Sequence, residues 1–109
     1  MFWNTKTSVV ELDPAEVQAL LARGDVVLID VREHNEHHAE RIMGAVCMPL
    51  SRFEPTALPA DAATVVFHCL SGKRSAMVAM QCQRAGLAAV RHMRGGIAAW
   101  KAAGLPTQR

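Results

Sequence analysis

The sequence predicts an α/β fold, with a small parallel β-sheet flanked by helices on both faces. Short apolar runs alternate with helix-like segments along the chain. Each run is continuous, as expected for strands buried on both faces. The chain has 109 residues, half of them apolar, which suffices for one compact core and not for two. We therefore expect residues 1–109 to form a single domain.

The first half of the chain contains one predicted helix and one predicted strand. Asp13 is a favourable N-cap before the proline at position 14, so a helix should begin here and end near Gly24. Residues 26–29 form an apolar run that predicts a buried strand. The prolines of the following segment favour an irregular connection; they are Pro49, Pro55 and Pro59.

The second half repeats the alternation of strand and helix. Its predicted elements are a strand at 64–67, a helix at 75–85 ended by Gly86, a strand at 90–93, a turn at Gly95 and Gly96, and a helix at 97–103 ended by Gly104 and Pro106. This alternation favours right-handed crossovers between parallel strands.

Composition argues against several classes of function. The net charge of +2 is small and the basic residues are scattered, so nucleic acid is not expected as a partner. No apolar run approaches the roughly 20 residues that span a bilayer, and residues 1–6 lack a signal-peptide pattern. We expect a soluble, cytoplasmic protein without a membrane partner. Three cysteines without a CxxC pair predict neither a disulfide framework nor a zinc knuckle.

The strongest chemical signal is Cys69, which lies between a predicted strand and a predicted helix. Ligands of parallel sheets bind beyond the carboxyl ends of strands, where a helix N-terminus offers unpaired N–H groups. The following loop supplies a flexible glycine, two hydroxyls and two cations, all of which favour a thiolate. The candidate site is Cys69 as nucleophile with Leu70, Ser71, Gly72, Lys73, Arg74 and Ser75 as its loop. The alternative is a buried cysteine that serves only packing.

Asp30 and Arg32 follow the first predicted strand and should lie at the same sheet edge as Cys69. We expect an ion pair that orients the loop, in preference to direct contact with a substrate. Arg74 has two possible roles: it could bind an anionic substrate together with Lys73, or it could support the loop through Asp30 or Glu33.

Other residues that could carry chemistry have simpler interpretations. The spacing of His34, His37 and His38 would suit a metal on a helix, but no further ligand completes the set, so a solvated helical face is preferred. Trp100 and four sulfur-containing residues are interpreted as packing residues; the four are Cys47, Cys82, Met77 and Met80. For the two cysteines a resolving-thiol role is left open.

Three segments resemble the signatures of rhodanese domains, a family of sulfurtransferases. They are residues 28–33 continued by Glu36, residues 42–45 and Pro49; the loop 69–75; and residues 95–100 with 103–106. The resemblance implies a parallel sheet flanked by helices and a loop whose amides converge on a cysteine that becomes persulfidated. Three positions depart from the family pattern, at His37, Glu40 and Arg41, and none lies in the cysteine loop.

The resemblance also implies the reaction. A donor such as thiosulfate or a small persulfide would load a sulfane sulfur on Cys69, and a thiol, cyanide or a carrier protein would accept it, with no metal or cofactor. The related phosphatases and arsenate reductases have a loop one residue longer, whereas here four residues separate Cys69 from Arg74. They remain the first alternative, and a non-catalytic sulfur-carrier or interaction module is the second.

Overall fold

A computed structural model describes residues 9–58, 64–87 and 90–109, so the predictions for Pro59 and residues 1–6 lie outside the described residues. The strands are β1 (Val10–Leu12), β2 (Val27–Asp30), β3 (Val46–Cys47), β4 (Val65–His68) and β5 (Arg91–Met93). The helices are α1 (Pro14–Ala22), α2 (His34–Ala39), α3 (Lys73–Arg84) and α4 (Gly96–Ala102), and the described residues between β3 and β4 include the 3₁₀ turns Leu50–Arg52 and Pro55–Ala57. None of the helices in these ranges is long and apolar enough to cross a membrane.

The five strands form one sheet in the order β1-β5-β4-β2-β3, and every neighbouring pair is parallel. The predicted parallel sheet is therefore confirmed. β4 is fully buried, in agreement with the continuous apolar run from which it was predicted. The chain leaves β2 toward β3 on one side and leaves β4 toward β5 on the other. The boundary between β2 and β4 is thus the point at which strand order reverses, where ligands of such sheets usually bind.

Alternating side chains divide the core between the two faces of the sheet. Ile29 and Phe67 pack on one face with the buried side of α3, where Val78, Ala79 and Cys82 lie. Leu28, Val66 and Met93 pack on the other face against α1 and α4, together with Val17, Ile97 and Trp100. The helices therefore cover both faces, as the sequence predicted, and Trp100 has its expected packing role.

The differences from the sequence-based elements have local causes. β1 and β3 are edge strands of three and two residues with no buried residue, so neither contains the buried apolar run by which β2 and β4 were predicted. α3 begins at Lys73, earlier than expected, because Gly72 takes a left-handed conformation (φ 104°) at its N-cap and its carbonyl accepts from Ala76 N at 3.1 Å. Met77 and Met80 are not core residues: they are 56% and 46% exposed on the outer side of this helix. Their helical spacing fits the exposed side as well as the buried one.

Candidate active site

Cys69 lies directly beyond β4, and the loop that follows it curls back over its sulfur. The backbone N–H of Gly72 donates to Cys69 Sγ at 3.1 Å, and the N–H of Ser75 donates to the same atom at 3.4 Å. The Ser75 hydroxyl is 3.7 Å from Sγ. These groups come from the loop and the first turn of α3, so the loop wraps the sulfur with positive dipole ends.

This wrapping changes the acidity of the thiol. Burial opposes ionisation of Cys69, but the hydrogen bonds from Ser75 and from the Gly72 and Ser71 amides outweigh it and lower the pKa of the thiol. Burial raises the pKa of Cys47, and it raises the pKa of Cys82 to about 11. Cys69 is therefore the cysteine best suited to nucleophilic attack in the described part of the chain.

The start of α4 supports the cysteine loop from beneath. The N–H groups of Ile97 and Ala98 donate to the carbonyls of Cys69 and Leu70 at 2.8 and 3.1 Å. A Cβ on Gly96 would lie 2.4 Å from both of those carbonyl oxygens, so this close approach requires glycine. The sequence identified Gly95 and Gly96 only as a turn; their contact with the loop is a finding of the structure.

A buried carboxylate, Asp30, organises the sheet edge beside Cys69. Arg32 binds both Asp30 oxygens, with Nη2 to Oδ2 at 2.8 Å and Nε to Oδ1 at 3.0 Å, and Nη2 also donates to the carbonyl of Glu40 at 2.7 Å. His37 Nδ1 lies 2.8 Å from Oδ2. Burial alone would raise the pKa of Asp30, but the Arg32 hydrogen bonds, assisted by His68 and His37, lower it to about 2. The expected ion pair is present, and it ties the β2 end to α2.

His37 is therefore not part of a solvated face. It is one of the three positions that departed from the family pattern, and the structure uses it as a partner for Asp30. His34 and His38 do lie at exposed positions. No group of three or more histidine, cysteine, aspartate or glutamate side chains is arranged to hold a metal ion within residues 9–58, 64–87 and 90–109.

The two loop cations have different environments. Arg74 forms a two-pronged ion pair with Glu36 of α2, with distances of 2.7 and 3.0 Å between the guanidinium nitrogens and the carboxylate oxygens. The partner is neither Asp30 nor Glu33, the two that the sequence suggested. Lys73 is exposed, as are Leu70 and Ser71. These exposed loop residues thus face the solvent.

Sequence reasoning missed a polar chain behind Ser75. The Ser75 hydroxyl lies 3.0 Å from Nδ1 of His92, and Nε2 of His92 lies 3.1 Å from Oε2 of Glu11. Strand register explains it, because Glu11 of β1 pairs with His92 of β5 and both project toward α3. An isolated glutamate in a three-residue strand carried no signal of this role.

The two other cysteines are placed as follows. Cys82 is fully buried among apolar residues of α3 and the sheet, as expected. Cys47 is only half-buried, on the edge strand β3, and its thiol is 3.7 Å from the carbonyl of Arg32. Its interpretation as a core residue is therefore wrong, because an edge strand is covered on one side only.

Comparison with known proteins agrees with this geometry. The profile of the family described as "Rhodanese-like domain" matches residues 13–103. An uncharacterized protein, slr1261, from Synechocystis is 42% identical over 105 residues, which cover 95% of this chain and 58% of that protein. The chain thus spans little more than half of that relative. A protein named sulfurtransferase from Allochromatium vinosum is 35% identical over 99 residues, with 88% of this chain and 92% of that protein covered.

Solved structures give the same fold. A thiosulfate sulfurtransferase from Pseudomonas aeruginosa superposes with a TM-score of 0.83 at 29% identity, covering 93% of this chain and 20% of that chain. A protein of unknown function from Rhodopseudomonas palustris, RPA3614, described as a possible tyrosine phosphatase, superposes with a TM-score of 0.78 at 32% identity, covering 94% and 86%.

Proposed function

The chain belongs to the rhodanese-like domain family, and from this premise we propose that it is a sulfurtransferase that carries a sulfane sulfur on Cys69. The observation that carries the proposal is the convergence of the Gly72 and Ser75 N–H groups on Cys69 Sγ. Such a cradle stabilises a thiolate, and it can equally accept the terminal sulfur anion of a persulfide. The relative named sulfurtransferase supports the same reaction class.

The proposed reaction has two half-reactions. The Cys69 thiolate attacks the outer sulfur of thiosulfate, the sulfur–sulfur bond of the donor breaks, and sulfite leaves with the bonding electron pair. The product is a Cys69 persulfide anion. An acceptor nucleophile then attacks the outer sulfur, and Cys69 leaves as the thiolate; cyanide would become thiocyanate and a thiolate would become a persulfide. A small persulfide can replace thiosulfate as donor, and a carrier protein can replace the small acceptor. The proposed setting is the cytoplasm, where glutathione is an abundant thiol.

The test is intact mass spectrometry after incubation with thiosulfate and, separately, with glutathione persulfide. We expect one added sulfur atom, which a reductant removes. Cys69→Ser should abolish both the adduct and thiosulfate:cyanide activity. Cys47→Ser and Cys82→Ser are matched controls that should retain both, since neither thiol is held by loop amides. Full activity of the Cys69→Ser protein would refute the proposal.

Two further measurements separate the proposed sulfurtransferase from the alternative functions: turnover of a phosphate ester or arsenate, and transfer of the bound sulfur to a small acceptor. A phosphatase or arsenate reductase on the same fold would turn over a phosphate ester or arsenate without forming a persulfide. We include the phosphate-ester assay because the Rhodopseudomonas protein is described as a possible tyrosine phosphatase. A non-catalytic interaction module would show neither activity nor adduct, although its cysteine is present. A sulfur carrier would form the adduct but would transfer it only to a partner protein.

A further inference from the structure

The Ser75 hydroxyl has one hydrogen and several possible partners, and this competition is the basis of the inference. Its oxygen lies 3.0 Å from His92 Nδ1, 3.2 Å from the carbonyl of Gly72 and 3.7 Å from Cys69 Sγ. Ser75 and His92 are almost completely buried, at 0% and 3% exposure. In such surroundings the direction of the hydroxyl is set by its protein partners.

Glu11 determines which nitrogen of the His92 ring carries the proton. An ionised carboxylate only accepts hydrogen bonds, so the 3.1 Å contact requires a proton on Nε2 of His92. In the neutral ring, Nδ1 is then a bare acceptor that points at the Ser75 hydroxyl. Of its two acceptors, Nδ1 at 3.0 Å is nearer than the Gly72 carbonyl at 3.2 Å. The hydroxyl therefore donates to Nδ1, and its oxygen lone pair is left for the S–H of Cys69.

We propose that Glu11, His92 and Ser75 form a proton relay that ends at Cys69, in which His92 takes up the thiol proton through the Ser75 hydroxyl. The S–H bond of Cys69 breaks as an O–H bond forms on Ser75, and the original Ser75 O–H bond breaks as an N–H bond forms on Nδ1. The products are a thiolate, a hydroxyl that donates to it, and an imidazolium that donates to Glu11. No proton is gained or lost.

Two features favour this direction of transfer, and one opposes it. Glu11 offsets the charge of the imidazolium through a charge-assisted hydrogen bond. The amides of Gly72 and Ser75 stabilise the thiolate at the other end. Burial lowers the pKa of His92 although Glu11 opposes this effect; the ring is therefore neutral with Nδ1 open to a proton, but the lowered pKa works against proton uptake, and Glu11 is the group that counters it.

The other charged groups around His92 do not replace Glu11. The α3 thiol on this face, Cys82, has a pKa of about 11 because of burial and stays neutral. Arg91 precedes His92 on β5, so its side chain projects to the opposite face. The two cations that begin α3 favour the Cys69 thiolate in every variant considered below. Glu11 is the acidic partner of the ring among the described residues.

The relay concerns the nucleophile of the proposed sulfurtransferase, but its test needs only the thiol. The Cys69 alkylation rate is measured against pH by peptide mapping with iodoacetamide, without a sulfur donor. We expect Glu11→Gln to raise the pKa of Cys69 by about one unit, which corresponds to roughly tenfold slower alkylation below that pKa. Glu54→Gln removes the same charge from another exposed glutamate and should leave the profile unchanged.

The direction in which the pKa of Cys69 shifts separates the relay from the direct electrostatic effect of the Glu11 charge on the thiolate. Removing a nearby negative charge without a relay would stabilise the thiolate and lower the pKa of Cys69. The side chain of Glu11 is 49% exposed, so its amide replacement should fold, and thermal melting checks this. A lowered or unchanged pKa of Cys69 in the Glu11→Gln protein overturns the proposal.

A double variant tests whether Glu11 acts through His92. His92→Asn retains a hydrogen-bonding group near Nδ1 but cannot take up a proton, so it should also raise the pKa of Cys69. In that background Glu11→Gln should cause no further rise. A rise in the pKa of Cys69 as large as in the parent protein would overturn the relay. If His92→Asn does not fold, the single Glu11→Gln measurement decides. Failure to form a persulfide would refute the proposed function and leave this thiol measurement unaffected.

Discussion

At the scale of single residues, the two cations of the loop differ in what they contact. Arg74 is held by two hydrogen bonds to Glu36, and this carboxylate raises the pKa of Arg74 above its usual value. Lys73 is exposed at the start of α3. The structure therefore assigns support of the loop to Arg74 and leaves Lys73 as the cation available to an incoming anion.

Lys73→Ala should lower kcat/KM for thiosulfate about fivefold, on the order of 1 kcal/mol, because thiosulfate is a dianion. The loss of kcat/KM for a less charged persulfide donor should be smaller, and added salt should reduce the difference between the two donors. Arg74→Ala should impair both donors equally and lower the melting temperature. Kinetics with both donors at two ionic strengths check this, and equal, salt-independent losses in the Lys73→Ala protein would contradict it.

At the scale of elements, the cysteine loop is shared between two helices. α3 supplies the Ser75 amide that contacts the sulfur, and α4 supplies the amides that hold the carbonyls on the other side of the loop. The loop therefore has hydrogen-bond partners on both sides and needs no contact with substrate to keep its curl. Its geometry depends on how closely α4 approaches.

Gly96→Ala should separate α4 from the loop. The added Cβ would lie 2.4 Å from the carbonyl oxygens of Cys69 and Leu70, and φ at this position is +62°. Gly104→Ala is the matched control, since it has a similar φ of +79° with no heavy atom within 4 Å. We expect Gly104→Ala to cost about 1–2 kcal/mol from backbone strain alone, and Gly96→Ala to cost more and to slow Cys69 alkylation. Denaturant unfolding and alkylation rates measure both, and equal effects would show that the approach is not needed.

At the scale of the whole molecule, the Asp30 cluster joins the two halves of the fold. Asp30 is the last residue of β2, and it pairs with Arg32 and contacts His37 of α2. Its carboxylate also lies 3.8 Å from Nε2 of His68, the last residue of β4. All of these partners lie at the sheet edge that carries Cys69. A buried carboxylate paired with a buried arginine makes the stability of the molecule sensitive to acid.

The sign of this pH dependence follows from the lowered pKa of Asp30. A carboxyl with a folded-state pKa of about 2 and an ordinary value of 3.8 stabilises the folded state above about pH 4. This contribution, about 2 kcal/mol, is lost as pH falls through about 2. Asp30→Asn should remove this part of the acid slope and cost roughly 3–5 kcal/mol at neutral pH, because Arg32 remains buried without its partner.

The control for Asp30 is Asp25→Asn, which breaks an exposed pair with Arg23. It should cost about 1 kcal/mol or less and keep the acid slope of the parent protein. Denaturant unfolding of the three proteins between neutral and acidic pH measures these effects. An Asp30→Asn protein with the parent slope would show that other carboxyls cause the acid sensitivity.

The sequence by itself determined the fold class and the position of the candidate nucleophile. Continuous apolar runs identify strands buried on both faces because no other short element needs such a pattern. Cys69 stood out because a strand end, a glycine and two cations are adjacent to it in the chain. The capped start of the first helix was equally local: the Asp13 side chain accepts from the N–H of Glu16. Each of these features depends on neighbours within a few residues.

Only the tertiary structure decided which distant side chains meet. Four contacts join residues from different elements. They are the ion pair of Arg74 with Glu36, the contact of His37 with Asp30, the close approach of Gly96 to the Cys69 carbonyl, and the contact of Glu11 with His92. The exposed side of α3, with Met77 and Met80, was likewise decided by how the helix is rotated on the sheet. These contacts depend on strand order, register and helix rotation, which are set by the packing of the entire core and not by any local sequence pattern.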